Sequence, residues 1–308
     1  MSRELLILLL WLGLSSVYLV DGMLLWAMLG PWASPRVRQG WLAAPLAFAF
    51  LTLVFTPWGI WAAAFLAGAL ALHLAAHQVG VRRVAAGLEP APPELTERIR
   101  RLAARWGAPV PDGIWVDRTD RWDPGVMGLL RQRLILPRSA LELPAAEFEA
   151  VLAHELAHVA ARDPLKLWLT GFARTLLGWH PAARRLADGI LLEIELAADR
   201  QAATWTGEAE SYALTLGRWG LRQAGRPAPF GVALTGTSSQ LLLRLQVLLH
   251  PELVPAHLAI SAWVPGGRGA MERRARGPKP RREGTVRWLH GALSAGYLAL
   301  FLLLLRLV

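Results

Sequence analysis

The chain has 308 residues, no cysteine and a net charge of +10. Without cysteine there are no disulfides and no thiolate metal sites, so any metal must be held by His, Asp or Glu. Apolar residues make up 54% and charged residues only 18%, against about 25% charge in soluble domains. The apolar excess is clustered, which points to membrane spans plus a soluble region. Much of the positive charge crowds into one stretch, with Arg268, Arg273, Arg274, Arg276, Lys279, Arg281, Arg282 and Arg287 just before the last apolar run. That is a juxtamembrane pattern. No zinc-finger, helix-turn-helix or aromatic RNA-binding motif accompanies it, so direct nucleic-acid binding is not expected.

A membrane-crossing helix needs about 20 mostly apolar residues. Residues 1–81 offer three, at about 5–29, 41–56 and 59–78, the last two split by Thr56-Pro57-Trp58-Gly59. A fourth span is expected over 288–308. Trp32, Trp41, Trp58, Trp61 and Trp288 flank these runs as an interfacial belt would. Arg36 and Arg38, Arg82 and Arg83, and the basic run before the fourth span then all fall on one side of the bilayer. By the positive-inside rule that side is the cytoplasm. Residues 82–263 form a cytoplasmic domain, and 264–287, rich in Gly, Pro and Arg, form a flexible linker. Within the domain, helical periodicity covers Pro93–Trp106 with a stop at Gly107. Strand-like runs follow at Gly113–Asp117 and Arg133–Pro137. A helix is expected from about Pro144 to Arg162, where Asp163-Pro164 ends it. A further apolar segment covers Leu165–Trp179, suited to lying against a membrane surface, and another helix covers about Ala183–Trp205.

The strongest local pattern is His154-Glu155-Leu156-Ala157-His158. On a helix, positions four apart share a face, so two imidazoles can grip one tetrahedral ion. Glu155 sits one residue on and reaches the side where water binds. The surrounding run from Val151 to Ala160 is apolar, and polar groups buried there need partners. A third ligand has to come from elsewhere. Glu193-Ile194-Glu195-Leu196-Ala197-Ala198-Asp199 offers Glu195 and Asp199, again four apart. One can bind the metal while the other accepts a hydrogen bond from the far nitrogen of a ligand histidine. A salt bridge from Asp199 to an arginine such as Arg162 is the alternative. Glu193 points elsewhere and is expected to be solvated.

The stretch Met127-Gly128-Leu129-Leu130-Arg131-Gln132-Arg133-Leu134-Ile135-Leu136-Pro137-Arg138, with His154 to Pro164 and Glu195 to Arg200, resembles the BlaR/MecR-type antirepressor peptidases. The HtpX and CAAX-prenyl-protease-like family is similar over the two-helix zinc core. The resemblance covers about residues 94–205. It implies a mainly α fold with a small β-sheet, a zincin-like (gluzincin) metallopeptidase domain inserted between transmembrane helices. It also implies one Zn2+ per chain, Glu155 as the catalytic base, His154, His158 and Glu195 as ligands, and Asp199 in the position of the family's aspartate. Arg133, Leu134, Ile135 and Leu136 resemble the edge strand that pairs with an extended substrate. The implied protein is a multi-pass protease of the bacterial cytoplasmic membrane that cuts a cytoplasmic protein, in the antirepressor group a BlaI/MecI-type repressor. An HtpX-like quality-control protease and a non-catalytic zinc-stabilised scaffold are the alternatives. Antirepressor receptors carry a β-lactam-sensing domain after their fourth span. The residues at hand end at Val308, and no antibiotic-sensing role is read from them.

Fainter signals lie outside this constellation. His73 and His77 are four apart and His290 is expected at similar depth, a pattern better explained by interhelical hydrogen bonding than by a second metal. Asp21 interrupts the first apolar run and is expected near the outer interface. His180, His250 and His257 show no ligand spacing.

Overall fold

The structure, a computed structural model, describes residues 2–29, 35–53, 56, 58–223, 238–250 and 283–307. It is mainly helical, with one small mixed sheet. The chain divides into two compact units. One comprises Met1–His73, Thr170–Glu193 and Glu252–Val308, and the other Leu74–Leu169 and Ile194–Pro251. Residues 264–282 of the expected linker, and His257, lie outside the described residues.

The first unit is built on helices α1 (Arg3–Leu29), α2 (Pro35–Leu53), the start of α3 (Gly59–Ala85) and α11 (Glu283–Leu307). Helix α1 packs along α2, and Pro45 explains the fit. Its ring projects from the interior of α2 toward Gly22 of α1, where a Cβ would lie 2.4 Å from Pro45 Cγ. Only glycine leaves room for that ring. Tyr18, Phe48 and Phe301 form a buried aromatic cluster, with Tyr297 stacked on Tyr18 at 4.5 Å between centroids. Tyr297 donates to Asp21, so the carboxyl that interrupts the apolar run is hydrogen-bonded within the helix cluster. His73 lies against Phe172, with ring centroids 5.5 Å apart.

Two helical segments, Arg3–Leu24 and Gly59–Ala85, are long and apolar enough to cross a membrane. The apolar stretches of α2 and α11, Val37–Leu53 and Gly291–Leu304, are shorter. Along α3, Ile60, Trp61 and Leu72 are each more than 70% exposed. So large an uncovered apolar face suits lipid and not water.

One expectation in this unit is overturned. Glu193, expected in solvent, is fully buried. Its Oε1 accepts from Arg38 Nε at 2.7 Å and Trp26 Nε1 at 3.0 Å, and Gln39 Nε2 donates to its backbone carbonyl at 3.1 Å. A buried carboxylate needs a cation and donors, and Arg38, in the first turn of α2, supplies the charge.

The second unit holds the sheet and the helices that pack on it. Strands β1 (Glu89–Pro90), β2 (Gly113–Asp117), β3 (Gly125–Met127) and β4 (Arg133–Pro137) lie in the order β1-β2-β4-β3. Strand β4 is parallel to β2 on one side and antiparallel to β3 on the other. Arg133–Leu136 therefore do not form an exposed edge. The physical reason is in the run itself. Leu134, Ile135 and Leu136 are three consecutive apolar residues, all fully buried, and a strand apolar on both faces belongs inside a sheet. Leu134 and Leu136 join the core with Ile99, Phe148, Leu152 and Leu156. Ile135 joins Val84, Leu88 and Met127 on the opposite face. The turn between β3 and β4 begins at Gly128 with φ 97°, where a Cβ would sit 2.1 Å from the Arg131 carbonyl oxygen, so that turn requires glycine.

Helix α4 (Pro93–Trp106) ends as expected at Gly107, which adopts the left-handed conformation. A one-turn helix α5 (Arg138–Leu141) leads to α6 (Ala145–Ala161), then α7 (Asp163–Leu177), α8 (Pro181–Thr206), α9 (Ala209–Gln223) and α10 (Ser238–Leu249). Pro144 is the N-cap of α6 and not its first residue. Helix α6 is buried from Ala150 to Val159 and packs on β3 and α9.

Candidate metal centre

His154, Glu155 and His158 project from α6, all buried. At the end of α6 Arg162 adopts φ 53°, a left-handed turn that a side chain resists by about 1–2 kcal/mol. The turn brings Asp163, the first residue of α7, back against the helix. Its Oδ2 lies 2.8 Å from His158 Nδ1, while Lys166 Nζ donates to Oδ1 at 2.7 Å. His154 Nδ1 lies 3.0 Å from the Tyr212 hydroxyl and 3.1 Å from Asp199 Oδ1. Tyr212 in turn donates to Asp199 at 2.8 Å.

These contacts fix the tautomers. A carboxylate only accepts, so each Nδ1 carries a proton. The Nε2 atoms face each other at 3.1 Å with Glu195 beside them, and once the imidazoles are neutral each offers its Nε2 lone pair to a metal. Glu195 Oε2 is 3.5 Å from His154 Nε2, and its Oε1 is 3.8 Å from His158 Nε2. Donors bound to one tetrahedral ion at about 2.0–2.1 Å lie about 3.3 Å apart. The three side chains therefore fit a single metal ion, and among the described residues this is the group of histidines and acids close enough to hold one. Glu155 Oε2 is buried beside them with no hydrogen-bond partner, as a group kept for a water or a substrate would be.

The electrostatics follow from the burial. Desolvation opposes charge on His154, but hydrogen bonds to Asp199 and Glu195 outweigh it and push its pKa up to about 10. Burial likewise works against charge on His158, yet Asp163 raises its pKa overall. Burial pushes the Glu155 carboxyl up, tempered by the two imidazoles. Glu195 and Asp199 are desolvated as well, but the Arg244 guanidinium holds both below the ordinary carboxylate range.

Arg244, from α10, is the element sequence reasoning missed. Its Nη1 lies 2.8 Å from Glu195 Oε2, its Nε donates to Asp199 Oδ2 at 2.7 Å and its Nη2 to Asp199 Oδ1 at 2.8 Å. Asp199 thus contacts both His154 and an arginine, and that arginine is Arg244 and not Arg162. Asp163, read only as a helix stop, and Tyr212 were also missed. The signal for Asp163 was local, because an acid five residues after His158 can reach it once the helix ends. Tyr212 and Arg244 carry no such spacing. His180 and His250 are not members of the metal-binding group.

A helix-borne pair of imidazoles, a carboxylate on a second helix and an orphaned glutamate define a metallopeptidase centre. The family model of the BlaR1 peptidase M56 matches residues 48–248, and the chain belongs to that family. No curated protein and no solved structure matches the chain.

Proposed function

We propose that the protein is a multi-pass membrane zinc metalloendopeptidase, with one zinc held by His154, His158 and Glu195 and with Glu155 as the general base. The observation that carries this is the convergence of the two Nε2 atoms and the Glu195 carboxylate beside the unpartnered Glu155 Oε2. When bound, the ion supplies Lewis acidity that activates water and polarises the scissile carbonyl. Glu155 takes the proton of the attacking water at its carboxylate and passes it to the leaving amine. Asp199 with Tyr212, and Asp163, hold the two imidazoles in the ligating tautomer.

The arginines at the ends of the apolar runs favour four spans, with residues 82–263 on the cytoplasmic side and 288–308 as the last span. The substrate on this reading is a cytoplasmic regulatory protein, a repressor of the BlaI/MecI type. With β4 interior, the sheet ends in β1 and β3, and of these β3, which packs on α6, is the edge assigned to an extended peptide.

Metal analysis of the full chain in detergent tests the centre. Wild type and Glu155→Gln are expected to carry equal zinc and His154→Ala almost none. Glu155→Gln should cleave about 10²–10⁴-fold more slowly. Full zinc in His154→Ala would overturn the ligand assignment. Comparing the proteomes of cells carrying wild type and Glu155→Gln identifies the substrate, and an unchanged repressor level would remove the antirepressor reading.

A further inference from the structure

Helix α7 carries one uninterrupted apolar stripe. Leu165, Leu169, Phe172 and Leu176 share a helix face, and Trp179 extends the line into the turn before α8. Leu165, Leu169 and Trp179 are exposed, a face ill suited to water. Such a segment suits a helix lying flat on a membrane surface, which sinks only about 5–10 Å. Its contacts lie deeper. Phe172 stacks on Phe50 of α2 with ring centroids 5.9 Å apart, and its ring centroid is 5.5 Å from that of His73 of α3. Phe50 stands twelve residues along α2 from Arg38, and His73 nine residues before Arg82 in the last turn of α3. At about 1.5 Å per residue, Phe172 meets the two helices about 18 and 14 Å from those arginines. That is near the middle of a hydrocarbon core about 30 Å thick. The return limb agrees. Glu193 of α8 meets Arg38, and α8 takes twelve residues to reach it from Pro181, again about 18 Å.

We infer that α7 and the first half of α8 form a re-entrant hairpin, which enters the bilayer and leaves it on the cytoplasmic side, with the stripe from Leu165 to Trp179 covered by lipid acyl chains. The inference rests on the reading of α2 and α3 as spans. It adds a second lipid face to the one on α3, where Ile60, Trp61 and Leu72 are exposed. Polar groups inside a bilayer must find partners within the protein, and the hairpin supplies them. Arg174 of α7 pairs with Asp188 of α8 at 2.5 Å, so the charges of the two limbs cancel. At the tip, Arg184 donates from Nε and Nη2 to the Gly178 carbonyl, and His180 N donates to Leu177 O at 2.9 Å. Thr175 Oγ1 donates to Gly171 O at 2.9 Å. Gly178 permits the tight turn, since a Cβ there would lie 2.2 Å from the Arg174 carbonyl oxygen.

A chain without cysteine takes single spin labels with no background. Full-length protein carrying one nitroxide, at Leu165→Cys, Leu169→Cys, Leu176→Cys or Trp179→Cys, is placed in nanodiscs of phosphatidylethanolamine and phosphatidylglycerol. Power saturation reads its collisions with oxygen, which concentrates in lipid, and with a water-soluble nickel chelate. Leu72→Cys on α3 is the lipid reference, and Arg100→Cys on α4, an exposed position, is the water reference. Leu169→Cys, Leu176→Cys and Trp179→Cys are expected to match Leu72→Cys. Leu169→Cys should lie about 6 Å deeper than Leu165→Cys, four residues along an inserted helix. Four positions keep the test standing where one label disturbs folding, and monodisperse elution identifies the intact proteins. Equal depths at Leu165 and Leu169 mean a helix lying on the surface. Nickel collisions as at Arg100→Cys mean a stripe in water, and loss of both kinds of collision means a stripe covered by protein. Each of these overturns the inference while Leu72→Cys still faces lipid. If Leu72→Cys itself faces water, the reading of α3 as a span fails, and the hairpin with it.

Discussion

Two carboxylates on α8 stand two residues apart and do opposite things. Glu193 is fully buried and closed off by Arg38 and Trp26. Glu195 is also buried, but faces two imidazole nitrogens at 3.5 and 3.8 Å that are not yet committed. Successive helical residues turn by about 100°, so positions two apart look to different sides. The lesson is that burial does not distinguish an anchor from a ligand. What distinguishes them is the neighbours: Glu193 meets Arg38 and Trp26, whereas Glu195, besides Arg244, lies beside two imidazoles that can share a metal ion with it.

The contrast can be broken by exchanging the two roles. Glu195→Ala should lose nearly all bound metal, whereas Glu193→Gln should keep it, both read by metal analysis. Stability should show the reverse. Arg38→Ala leaves the Glu193 carboxylate buried without its cation and should destabilise the protein by about 3–5 kcal/mol, seen as a lowered melting temperature in detergent at equal zinc. A smaller effect is expected one step back from the ligands. Asp163→Asn removes the charged acceptor on His158 Nδ1 and should weaken zinc affinity about 10–100-fold, measured by competition with a chelating dye. The most graded effect is that of pH. His154 and His158 hold their protons above the ordinary imidazole value in the metal-free protein, and only neutral imidazoles ligate. Below about pH 10, where His154 releases its proton, each entering ion must displace protons, so affinity should rise with pH by about tenfold per unit for each proton released. An affinity independent of pH between 6 and 8 would show instead that the two imidazoles are already neutral before the metal enters.

Much of the fold was legible because its signals are short-ranged. Strands β2 and β4 begin and end where the apolar runs do, and α4 spans the residues its periodicity marks and stops at Gly107. Strands β1 and β3 were not legible. Two and three residues long, they carry no period and exist only because a neighbour pairs with them. Strand β4 is not an edge because β2 and β3 pair with it on either side, and its three consecutive apolar residues are the local sign that both its faces are covered.

By itself, then, the sequence determined that two histidines and a glutamate share one turn of a buried helix, and that an acid on a later helix could join them, because the period of an α-helix sets which residues meet. Only the tertiary structure decided what completes them. Tyr212 reaches His154 across 58 positions, Arg244 reaches Asp199 across 45, and Arg38 reaches Glu193 across 155. No local period relates residues so far apart. Their meeting follows from how helices pack, and packing is selected by the whole core and not by any one segment.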